Sequence, residues 1–111
     1  MAEIQFAQGV KEPIIPNVRI TRSKTGNQST ATFFFESPQA FNTETAETIT
    51  GMYMVDEEGE IFTKEVKGIF INGQAKNIEA LYIMNSPEEW DRFLRFMERY
   101  SQENGLDFSK A

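Results

Sequence analysis

The hydrophobic period of this chain switches from two residues to about 3.6 near residue 85. Upstream the pattern alternates. Val18 and Ile20 point one way and Arg19 and Thr21 the other, while Phe33 and Phe35 share a face that Phe34 leaves. Downstream, "SPEEWDRFLRFMERY" (Ser86 to Tyr100) has the helical period. Trp90, Phe93, Leu94, Met97 and Tyr100 fall within an arc of about 120°, with Phe96 at its edge. Ser86 and Glu89 have capping-box spacing, Pro87 takes the first helical position, and Gly105 is a natural stop. Strands followed by one terminal amphipathic helix predict an α+β fold, an antiparallel sheet with the helix packed on one face.

The strands follow from local signals. "EIQF" is a short strand, and the prolines of "KEPIIP" mark an irregular connection. "NVRITRS" and "TATFFFES" form a hairpin through the turn-rich "KTGNQS". One helical turn is expected after Ser37-Pro38. "ITGMYMV" runs into the turn "DEEGE" and on into "IFTKEVKGIFI", and Asn72-Gly73 signals a tight hairpin leading to "IEALYIM". Strands joined mostly by tight turns predict a meander.

Length predicts one domain over residues 1–111. The chain has no Cys and no His, which removes disulfides, thiolate nucleophiles, the commonest general base and the commonest metal ligand. No glycine-rich phosphate loop is present, and no matched carboxylate pair can be placed. The expectation is a protein that is not an enzyme and binds no cofactor or metal. A net charge of −6 opposes non-specific nucleic-acid binding and docking on anionic lipid. No apolar run reaches the ~18 residues of a membrane span. The N-terminus lacks a basic signal-peptide region. Any attachment to a membrane is therefore expected through protein partners, with no direct insertion.

Two cationic groups are candidate partner-binding residues. Arg19, Arg22 and Lys24 lie on or beside one strand, where they would protect an edge or receive a partner's extended segment. Arg92, Arg95 and Arg99 form a stripe opposite the apolar helix face. That stripe is either a surface for an acidic partner or a solvated face laced by Glu88–Arg92, Asp91–Arg95 and Arg99–Glu103 pairs, each worth ~0.2–0.5 kcal/mol. Two rival functions remain open. One is a small carboxylate-based enzyme. The other is a single-stranded nucleic-acid module that stacks bases on Phe33, Phe35 and Tyr53.

"VRITRSKTGNQSTATFFFESP", "ITGMYMVDEEGEI", "FING", "IEALYIM" and "SPEEWDRFLRFMERYSQENGL" resemble the Psb28 family of photosystem II proteins, from Ala2 to about Ser109. The resemblance implies a pigment-free, peripheral factor on the cytoplasmic (or stromal) side of the thylakoid membrane. It implies transient attachment to photosystem II intermediates that contain the CP47-type inner antenna protein and reaction-centre proteins, in assembly or repair.

Overall fold

A computed structural model describes residues 2–22, 28–42 and 49–106. The strands are β1 (Glu3–Ala7), β2 (Val10–Lys11), β3 (Asn17–Arg22), β4 (Ser29–Glu36), β5 (Met52–Asp56), β6 (Gly59–Thr63), β7 (Val66–Ile71) and β8 (Gln74–Met84). A 3-10 turn at Gln39–Asn42 follows Pro38, and the helix α1 spans Pro87–Asn104. The α+β class is as the sequence predicts. The sheet arrangement is not a single meander. The described residues form two four-stranded antiparallel sheets, ordered β2-β1-β5-β6 and β3-β4-β8-β7.

The departure arises in "IFTKEVKGIFI". It reads as one strand after the "DEEGE" turn, yet the chain turns at Lys64-Glu65 and passes from β6 in the first sheet to β7 in the second. Buried Thr63 fixes the corner. Its hydroxyl donates to the Leu81 carbonyl at 2.7 Å and accepts the Glu65 N–H at 3.2 Å. The Leu81 N–H donates to the Glu65 carbonyl at 2.8 Å. Neither Gly nor Pro stands at the corner, so no local turn signal marks it.

Other local readings hold. β3 and β4 pair from Asn17↔Phe34 to Arg22↔Ser29. Asn72 (φ 53°) and Gly73 (φ 81°) make the two-residue turn between the paired Ile71 and Gln74. The Ser86 side chain caps α1 by accepting the Glu89 N–H at 3.2 Å. Glu89 reaches back one residue further than the capping box requires, accepting the Asn85 N–H at 2.9 Å. Gly105, at φ 69°, ends the helix.

Both sheets and the helix contribute to one core. Phe6 meets Phe35 edge-on at 4.9 Å across the two sheets, and Phe33 meets Phe93 of α1 at 6.1 Å. A carboxylate the sequence reading passed over braces the proline connector. Glu12 is buried and accepts N–H groups of Ile14, Gln39 and Ala40 at 3.1, 2.9 and 2.8 Å.

The apolar face of α1 is rotated from its predicted centre. Phe93, Phe96, Met97 and Tyr100 are buried, whereas Trp90 and Leu94 pack at the rim. The Arg22 guanidinium lies 4.8 Å from the Trp90 ring centre. Trp90→Ala should therefore cost about 1–2 kcal/mol, less than the ~3–5 kcal/mol of a fully buried aromatic. A urea titration that returned the full-burial cost would place the ring in the core.

Candidate functional site

β3 is an edge strand, paired with β4 alone in its sheet. Its outward backbone groups face no further strand among the described residues, which is the condition for strand addition. Arg19 is exposed opposite Thr32, and next to it the Thr21 and Thr30 hydroxyls are 2.5 Å apart. Arg22 is exposed too, but it has the parity of Ile20 and turns toward Trp90 on the helix. The two arginines therefore diverge, because neighbours an odd number of residues apart leave a strand on opposite faces. Lys24 lies outside the described residues.

The helix arginines meet different partners from those their spacing predicts. Arg92 grips Asp56 with both terminal nitrogens, at 2.8 and 2.6 Å. Arg99 reaches Asp56 at 2.8 Å and Glu58 at 2.6 Å, and its Nε lies 3.4 Å from Glu57. Arg95 makes a two-pronged bond to Glu58 at 2.9 and 3.0 Å. The acidic "DEEGE" turn between β5 and β6 and the basic stripe of α1 are thus two halves of one clamp. The Asp56 side chain has no exposure, while those of Arg92, Arg99 and Arg95 are 20%, 27% and 48% exposed.

Burial pushes the Asp56 carboxyl up, but the hydrogen bonds from Arg92 and Arg99 and from the Glu58 N–H outweigh it and hold the group at about 2. Hydrogen bonds from Arg95 and Arg99 likewise hold Glu58 at about 2. Two carboxylates so matched to three guanidiniums leave this face largely self-neutralised. Of the five candidate cations among the described residues, Arg19 is the one whose exposed side chain is not turned onto the helix or clamped there.

The aromatic residues of the nucleic-acid alternative do not form a platform. Phe33 and Phe35 are fully buried, and Tyr53 sits in the other sheet against Phe62 at 4.9 Å. Bases cannot stack on rings that no solvent reaches. Among the described residues, no group of three or more Asp and Glu side chains is placed to hold a metal ion, and no helix is long and apolar enough to cross a membrane.

The two segments that the clamp joins, "GMYMVDEEGE" and "SPEEWDRFLRFMERY", are also the most specific blocks of the family resemblance. A family model described as Psb28 protein matches residues 4–108. This chain belongs to the Psb28 family. It is 66% identical over 111 residues to a protein of Crocosphaera subtropica named "Photosystem II reaction center Psb28 protein", with 100% of each chain covered. It is 65% identical to the protein of that name from Rippkaea orientalis, covering 100% of this chain and 97% of the relative. A third Psb28 relative, from Gloeothece citriformis, is 61% identical over the full length of both chains.

Proposed function

We propose that this Psb28 protein is a non-catalytic photosystem II factor that attaches to assembly or repair intermediates containing the CP47-type inner antenna protein. It works peripherally, on the cytoplasmic (or stromal) face of the thylakoid membrane. The observation that carries this reading is full-length likeness to relatives named as photosystem II reaction center Psb28 proteins. The open β3 edge supports a mode of binding. An extended segment of a membrane subunit would add to β3 through main-chain hydrogen bonds, and Arg19 would hold an acidic side chain of that segment.

Affinity purification of the tagged protein from solubilised thylakoids tests the function. Recovery of the antenna subunit with incomplete photosystem II is expected, and recovery of mature complexes alone would defeat the reading. Arg19→Glu tests the edge. It should lower the yield of co-purified antenna protein several-fold while shifting stability by no more than ~0.5 kcal/mol, since an exposed charge contributes little to folding. Arg22→Glu is a less clean variant, because it also removes the contact with Trp90. Wild-type recovery with Arg19→Glu would exclude this edge and turn attention to Arg95, the most exposed arginine of the clamp.

A further inference from the structure

The hairpin of β7 and β8 carries, near its turn, the two most exposed large apolar side chains among the described residues. Phe70 is 66% exposed and Ile71 is 49% exposed. They are consecutive residues of one strand, so their side chains leave it on opposite faces. Each face of the hairpin therefore carries one exposed apolar side chain just behind the polar turn at Asn72-Gly73. A flat protein surface would cover only one face of such a hairpin. A fluid apolar medium covers both.

The charge around the tip points the same way. Between Val66 and Ile78 the chain carries Lys67 and Lys76 and no carboxylate, in a protein of net charge −6. Both lysines are exposed. Lys67 lies 3.4 Å from Glu79, but its side chain remains 70% exposed, so its ammonium still faces solvent. Lys76 stands about one strand step behind Phe70 and Lys67 three steps, or roughly 3–10 Å at ~3.4 Å per residue. That offset matches the ~5–10 Å by which an interfacial element beds its apolar side below the headgroups. Lysine stems extend to keep their charge at the polar level.

We infer that the β7–β8 hairpin tip is a lipid contact, with Phe70 and Ile71 in the upper acyl region and Lys67 and Lys76 among the headgroups of an anionic membrane. The inference rests on the peripheral attachment proposed above, and it departs from attachment through protein alone. The net negative charge does not oppose it at contact range. Glu79 offsets part of the Lys67 charge, but carboxylates farther away are screened over ~10 Å, whereas the tip lysines touch the surface. The contact is shallow and salt-sensitive, and it orients the protein while protein partners select the site.

The absence of cysteine allows a single label. Gln74→Cys, exposed beside the turn, carries an environment-sensitive fluorophore and leaves Phe70 and Ile71 in place. Glu98→Cys, exposed on α1, is the control. Each protein is mixed with a large excess of vesicles of phosphatidylcholine with or without phosphatidylglycerol. A blue shift is expected at position 74 with phosphatidylglycerol vesicles, with none at position 98 and none on phosphatidylcholine alone. Phe70→Ser/Ile71→Ser should abolish the shift, and Lys67→Gln and Lys76→Gln should each weaken binding about fivefold. An unchanged melting curve shows that these exposed substitutions spare the fold. The inference is overturned by no shift at position 74, by equal shifts at both positions, or by a shift that needs photosystem-containing membranes, which would assign the tip to a protein partner. The vesicles contain no photosystem, so this result and co-purification fail independently.

Discussion

Replacing Phe93 with alanine should lower folding stability by about 3–5 kcal/mol, a large part of the ~5–15 kcal/mol of a domain this size. Phe93 has no exposed surface. Its ring stands edge-on to Phe33 at 6.1 Å and tilted against Tyr82 at 5.6 Å, so it joins α1 to the second sheet. Alanine would leave a ring-sized void between elements held by strand pairing, which cannot close in. Urea denaturation of Phe93→Ala and Trp90→Ala side by side is the informative measurement. A larger loss for Trp90 would mean that the helix faces the core as its sequence period implies, centred nearer Trp90.

Asp56→Ala should cost about 3 kcal/mol, the lower end of the range for removing one partner of a buried ion pair, because the arginines left behind are partly exposed. Among the described residues, Arg92 would keep the Gly59 carbonyl at 3.2 Å and a distant contact to Glu58 at 4.0 Å. The loss is pH-dependent in a definite direction. Asp56 and Glu58 are held at about 2, below their ordinary values of 3.8 and 4.5. A carboxyl depressed in the folded state binds its proton more readily when unfolded. Its stabilisation is complete above the ordinary value and is lost as pH falls toward the folded one. The difference in urea midpoint between wild type and Asp56→Ala should stay constant from neutrality to about pH 4.5, then shrink as pH approaches 2. A gap that does not change over that acid range would show that Asp56 acts through packing alone.

Legibility followed the distance over which each feature is determined. The Asn72-Gly73 turn, the Ser86 cap and the Gly105 stop depend on a few adjacent residues, and the sequence displays them. The clamp joins residues about 40 positions apart, beyond the reach of the i,i+4 rule that assigned local partners to the arginines. The corner at Thr63 was hard to read because neither Gly nor Pro marks it and its fixing bond comes from Leu81, 18 residues away. The hairpin tip was hidden by averaging, since net charge describes the whole surface and two lysines beside two apolar side chains barely move it. Arg19 on an edge strand was readable from alternation, whereas the turn of Arg22 onto Trp90 needed the helix in place.

Neither sheet is a continuous piece of chain. β1 and β2 wait for β5 and β6, and β3 and β4 wait for β7 and β8. The central ladders pair Ile4 with Met54 and Thr32 with Leu81, each closing a loop of about 50 residues. During synthesis the first sheet stays incomplete until β6 has emerged, and the second until β8, three-quarters of the way along the chain. Such non-local topologies fold slowly, in the millisecond-to-second range, because loop closure comes before the ladder contacts that reward it.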